Sequence, residues 1–239
     1  MNEVTLVITA CNRPHLLKPT LESFMKYNTY PIKECIIVED SGLQGVNDFA
    51  KYILGPESLA PPVHSLKLIY NESNIGQLKS IDKAYSQVTT EYIFHCEEDW
   101  EFTEYGFIEE SMKILKYDEK IFTVWLRPYH CTSGHPVVEC PDLPYNIMKR
   151  KHFYYDAVKN KTYIWGGITF NPGLRRTDVC MKLHPYAEIK NKIESVDMAG
   201  EYTVNNEYRL LGYYAAITKN SRGYVNHIGW GHHIKLPWE

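Results

Sequence analysis

Apolar residues along the chain fall into two rhythms. Compact runs at 4–10 (VTLVITA), 34–40 (ECIIVED), 66–71 (LKLIYN) and 91–96 (EYIFHC) have the length and β-branched content of buried strands. Between them the spacing becomes that of amphipathic helices. Leu16, Leu17, Leu21, Phe24 and Met25 mark one helix over 15–27. Leu78, Ile81, Ala84, Tyr85 and Val88 mark another over 77–88, and VNDFAKYIL (46–54) predicts a helix between these two. PESLAPP is a loop. Four strands separated by helices predict an α/β fold with a mostly parallel, Rossmann-like sheet flanked by helices on both faces.

The second half is less regular. Residues 107–117 predict a helix and 121–129 a strand, and 130–162 look irregular. A strand-like run at 162–176 is broken by Gly166 and Gly167. EYTVNNEYRLLGYYAAI predicts a helix ending near Gly212 and a strand after it. There is no internal repeat, low-complexity tract or composition break, so 1–239 reads as one domain.

Composition narrows the function classes. Hydrophobic residues make up 44% and charged residues 23%, enough for a sizeable core. A net charge of −3 gives no basic footprint, which argues against a nucleic-acid partner. None of the six cysteines forms a C-x-x-C pair, and Cys11, Cys35 and Cys96 lie in or beside strand-like runs. The start carries an acid where a secretory leader needs positive charge, and no run is long enough to span a membrane. The expectation is a reducing, cytoplasmic setting, compatible with peripheral membrane association. His130, Cys131, His135 and Cys140 are zinc-compatible types, but their spacing matches no zinc pattern.

Polar clusters sit where three strands end: NRP (12–14), EDSG (39–42) and EEDW (97–100). Ligands of open α/β sheets bind outside those carboxyl ends. On a continuing strand Glu97 and Asp99 share a side and Glu98 faces away. Two carboxylates on one side suit Mg²⁺ or Mn²⁺, with other positions left to substrate phosphates and water. The competing reading is an acidic turn that simply faces water.

With these residues in view, the chain resembles a GT-A fold nucleotide-sugar glycosyltransferase of glycosyltransferase family 2. VTLVITACNRPHLLKPTLESF is similar to the family's opening strand, turn and helix, and ECIIVEDSG to its second strand. NIGQLKSIDKAYSQVTTEYIFHCEEDW is similar to the segment running into its D-x-D element, read here as Glu97-Glu98-Asp99. The likeness covers about the first hundred residues. It implies that 1–102 bind the nucleotide sugar and 103–239 the acceptor. It also implies Thr9, Asn12, Arg13, Glu39, Asp40, Lys79 and Glu97 near the nucleotide, and Asp99, Glu97 and His227 at Mn²⁺ or Mg²⁺.

Inversion of the sugar carbon needs a carboxylate that takes the acceptor's proton. Glu201, at a helix start eleven residues before Gly212, is similar to the family's base position, with Asp197 and Glu207 as rivals. WGG (165–167) resembles the family's glycine-containing segment near donor and acceptor, and Trp230 is a candidate sugar or nucleotide cover. The implied reaction moves a sugar from a nucleoside diphosphate donor, a UDP-sugar as first choice, to a hydroxyl acceptor such as a glycan. The alternatives are a catalytically degenerate module that binds nucleotide or glycan, and a sugar nucleotidyltransferase. The second lacks the glycine-rich loop it needs after the first strand.

Overall fold

The computed structural model describes residues 2–55, 63–156, 161–189 and 199–231. The chain runs β1 (Val4–Ala10), α1 (Pro14–Tyr27), β2 (Glu34–Glu39), α2 (Ala50–Leu54), β3 (Leu66–Tyr70), α3 (Gln77–Tyr85), β4 (Tyr92–Glu97) and β5 (Trp100–Phe102). It continues with α4 (Phe107–Tyr117), β6 (Ile121–Trp125), β7 (Val137–Val138), β8 (Tyr145–Met148), β9 (Lys151–Asp156), β10 (Lys161–Trp165) and β11 (Gly173–Arg176). The last described elements are α5 (Thr177–Met181), α6 (Ala199–Leu210), β12 (Tyr214–Thr218) and β13 (Val225–His227).

The main sheet has the order β11-β4-β1-β2-β3. Its four N-terminal strands are parallel, and β11 adds antiparallel to β4. All seven residues of the central β1 are buried, because helices cover both sheet faces. Leu6 and Ile8 pack with Leu17, Leu21 and Phe24 of α1; Val7 packs on the other face with Ile81 and Tyr85 of α3 and Val204 of α6. A second sheet, β6-β12-β8-β7, carries the later half.

Helix α1 also fixes the acidic turn. Thr20 Oγ donates to the Glu98 carbonyl (2.7 Å) and accepts from the Trp100 amide (3.1 Å), and Ser23 Oγ accepts from the Phe102 amide (3.0 Å). Beneath it Phe24 packs against Phe94, Phe102 and Phe107 with ring centroids 5.1–5.9 Å apart.

Several expectations shift. The helix expected at 46–54 is helical only from Ala50, because the preceding turn is tied down: Asn47 donates to Glu39 and Tyr70 to Asp48. The loop at 56–62 lies outside the described residues. The strand expected to reach 129 stops at Trp125, before Pro128. The segment taken as irregular contains β7, β8 and β9, of two, four and six residues. The run at 162–176 is two strands separated by a turn in which Gly167 has φ 86°.

Candidate active site

Strand β4 ends at Glu97, and Glu98 and Asp99 form a turn before β5. Side-chain alternation therefore stops there, and the expectation that Glu98 faces away from Asp99 does not hold. Arg13, at the end of β1's loop, binds both. Its Nη2 lies 2.8 Å from Glu98 Oε1 and its Nη1 2.9 Å from Asp99 Oδ2. Glu98 also accepts from the Cys11 amide (3.0 Å). Burial raises the Glu98 pKa while Arg13 opposes it.

Asp99 has a second partner. His227, the last residue of β13, places Nε2 3.3 Å from Asp99 Oδ2. The β13–β5 pairing sets His227 opposite Trp100, and the Ile228 amide donates to the Asp99 carbonyl (2.9 Å). Burial works to raise the Asp99 pKa, but His227 and Arg13 outweigh it and hold the carboxyl below its ordinary value. Gly229 lies against this carboxylate: a Cβ there would sit 2.9 Å from both Cβ and Cγ of Asp99.

Glu97 points elsewhere. Its Oε1 accepts from Gln77 Nε2 (2.8 Å), and the Trp100 indole N–H lies 3.5 Å from Oε2. Burial, followed by the charges of Asp99, Glu201 and Glu98, pushes its pKa up to about 8. Among the described residues no three His, Cys, Asp or Glu side chains converge as an ion-holding cluster. Yet Asp99 Oδ1 and His227 Nδ1 are buried without a hydrogen-bond partner. The orphaned Asp99 oxygen and the adjacent imidazole are donor types that fit Mn²⁺ or Mg²⁺, and Glu97 could join them only by giving up its proton.

Two clefts meet at Glu97. The first is lined by Thr9, Arg13, Asp40, Gln77, Ser80 and Glu98, among others. The second is lined by Trp100, Arg127, Lys151, Trp165, Glu201 and His227, with Trp230 at 65% exposure on its margin. Glu97 borders both.

The other expected nucleotide residues differ in placement. Asp40 lines the first cleft and holds the turn into α3, accepting from Asn71 (2.7 Å) and from the amides of Ile75 (2.9 Å) and Gly76 (2.8 Å). Glu39 is buried and spent on local bonds: Oε1 takes the Asn12 and Ser41 amides, and Oε2 takes Asn47. Asn12 is exposed and adopts φ 51°, a left-handed conformation that asparagine tolerates. Lys79 is exposed on α3, while its neighbours Gln77 and Ser80 line the cleft.

Glu201 lies in the first turn of α6. It accepts from Thr169 Oγ and from the Phe170 amide (2.7 Å). Burial raises its pKa, with Thr169, Phe170, Arg175 and Arg127 pulling the other way. The fully buried Arg175 braces this loop through the carbonyls of Thr169 (2.5 Å) and Asn171 (3.2 Å). Glu207, further along α6, bonds Asn206 (3.2 Å) and does not border the cleft. Asp197 lies outside the described residues. In WGG, the Gly166 amide donates to Asn205 (3.0 Å), and a Cβ on Gly167 would press on Met148 and Ala215 at 3.0 and 3.3 Å. These glycines serve close packing beside the second cleft.

Arg127, Lys151 and Thr169 were not anticipated. Arg127 had a signal: like Arg13, it follows a strand and precedes a proline. Lys151 had none, because it lies in the segment expected to be irregular.

A parallel sheet with acids at its strand ends and a carboxylate-bearing helix beside them defines the class: a GT-A glycosyltransferase. Comparison with known proteins agrees. The model for "Glycosyl transferase family 2" matches residues 5–178, and the chain belongs to that family. The structure of the mannosyltransferase PcManGT from Pyrobaculum calidifontis, in complex with GDP-Man and Mn²⁺, is similar at TM-score 0.58 and 14% identity. S. aureus TarS 1–349 is similar at TM-score 0.56 and 16% identity. Each match covers 93% of this chain, which spans 59% of either of those chains. None of the curated protein sequences matches. Among the described residues no helix is long and apolar enough to cross a membrane.

Proposed function

We propose that this glycosyltransferase is metal dependent and moves a sugar from a nucleoside diphosphate, with UDP as first choice, to a hydroxyl of a glycan acceptor with inversion. The observation that carries the reading is that Glu201 borders the same cleft as Glu97 and His227. Residues 1–102 serve the donor and 103–239 the acceptor. Asp99, Glu97 and His227 would hold Mn²⁺ or Mg²⁺. When bound, the cation neutralises charge on the departing diphosphate. The acceptor oxygen attacks the sugar's anomeric carbon, its proton passes to Glu201, and the bond to the diphosphate breaks. A raised Glu201 pKa makes the ionised carboxylate a stronger base. Thr169 and the Phe170 amide keep it in place.

The test is transfer from UDP- and GDP-sugars to a glycan panel, with Mn²⁺, Mg²⁺ or EDTA; the GDP-sugars are included because a structural neighbour holds GDP-Man. Activity is expected to need the cation. Asp99→Ala is expected to lose nucleotide affinity and turnover. Glu201→Gln is expected to keep nucleotide affinity and lose about 10²–10⁴-fold in kcat. Full activity in EDTA would overturn the metal assignment, and an undiminished kcat in Glu201→Gln would remove inversion through that residue.

A further inference from the structure

The second cleft carries positive charge that the reaction above leaves unused. Arg127 follows β6 and is 6% exposed. Its Nη1 donates to Ser133 Oγ (2.9 Å) and its Nη2 to Cys131 Sγ (3.1 Å), while Nε is buried with no hydrogen-bond partner. Neither partner is a carboxylate, and a hydroxyl and a thiol are weak compensation for a desolvated guanidinium. The guanidinium stacks 5.0 Å from the Trp100 ring centroid and 5.8 Å from that of Trp125, which fixes its orientation.

Lys151, at the start of β9, joins it. Its Nζ donates to the Ser133 carbonyl and lies 6.0 Å from the Trp165 ring centroid. Arg127 and Lys151 thus meet across one residue, and both border the cleft. Burial and the charge of Arg127 lower the Lys151 pKa, a sign that the two cations repel. Two carboxylates border the same cleft: Glu201 feels the charge of Arg127 but its Oε1 is engaged by Thr169 and Phe170, and Glu97 is bonded to Gln77, so among the described residues neither hydrogen-bonds Arg127 or Lys151. Two like charges held together in partly dehydrated space are costly until an anion completes them.

We infer that Arg127, Lys151 and Ser133 form an anion subsite for a phosphate or carboxylate group carried by the acceptor. The inference rests on the proposed function in assigning this cleft to the acceptor. The anionic group anchors one part of the acceptor, and a separate hydroxyl reaches Glu201. Arg127 presents a planar fork suited to either oxyanion, and Lys151 adds a mobile point charge.

The experiment is calorimetric titration of the full chain with glucose 6-phosphate, glucuronate and glucose. Each titration is run with Mg²⁺ alone and with Mg²⁺ plus saturating UDP or GDP. At least one anionic sugar is expected to bind about tenfold or more tightly than glucose, and to do so with the nucleotide present. The two anionic sugars separate phosphate from carboxylate as the preferred group. Lys151→Met and Arg127→Gln are each expected to weaken that binding about tenfold without changing glucose binding. Because Arg127 is buried and its loss endangers folding, Lys151→Met carries the decision. Equal binding of glucose and both anionic sugars, or no effect of Lys151→Met, would overturn the subsite. Displacement of the anionic sugar by UDP or GDP would also overturn it, by giving these cations to the donor's phosphates. If neither nucleotide binds but the Lys151-dependent preference persists, the donor reading fails and the anion subsite stands.

Discussion

Three consecutive carboxylates, Glu97, Glu98 and Asp99, occupy three electrostatic situations. Glu98 is buried against Arg13, Asp99 is shared between Arg13 and His227, and Glu97 borders both clefts and is bonded to Gln77, with no ion pair among the described residues. The sequence made the acids and Arg13 conspicuous, because charge at a strand end needs a partner or water. It did not reveal the division of labour, which depends on the turn that replaces the strand after Glu97. For the same reason Glu39 resembled a ligand-facing acid, when its oxygens are consumed by Asn12, Ser41 and Asn47. The proton on Glu97 has a measurable effect. Its ordinary value is 4.5 and its folded-state value about 8, so the folded protein keeps a proton that the unfolded chain releases between those limits. This contribution to stability is fully present below the lower value and is lost as pH rises through the upper one. Denaturant unfolding of ion-free protein across this range is expected to show declining stability, with a flatter profile in Glu97→Gln. Identical profiles would exclude Glu97 as the source. Divalent cations compete with the same proton, so their affinity is expected to rise across the same window.

The short strand β13 matters out of proportion to its length. Its ladder with β5 brings His227 to Asp99, and Gly229 lets the chain pass against the carboxylate. Gly229→Ala puts a methyl group into that contact and is expected to cost about 1–3 kcal/mol of local strain. The predicted readout is a Mn²⁺-dependent nucleotide affinity weakened about tenfold, with the melting temperature lowered by roughly 2–4 °C per kcal/mol of strain. Unaltered affinity would mean that the packing at Gly229 is incidental. The histidine and glycine were visible in the sequence, but their target was not, because β13 and β5 lie more than a hundred residues apart. Helices α1 and α4 were legible from their apolar spacing, and β1 and β4 from compact apolar runs. β7 and β8 were not: runs of two and four residues are too short to show a period, and β8 takes its place by pairing with the distant β12, with β7 added beside β8.

At the scale of the molecule, the first half builds the cleft of Thr9, Arg13 and Asp40, and the second half supplies most of the cleft around Glu201, with Glu97 on the border of both. The alternation of strand and helix made the first half predictable. The second half depends on distant partners, such as the buried Arg175 on β11 bracing the loop that holds Glu201. The shared border at Glu97 has a kinetic consequence. A nucleotide sugar reaching across Glu97 would pass through the opening between the clefts, and an acceptor already seated would obstruct it. On the proposed function, the prediction is ordered addition, donor before acceptor, with the nucleoside diphosphate departing last. Initial-rate analysis is expected to find an unreactive acceptor analogue uncompetitive against the donor; noncompetitive inhibition by that analogue would mean that the two compartments fill independently.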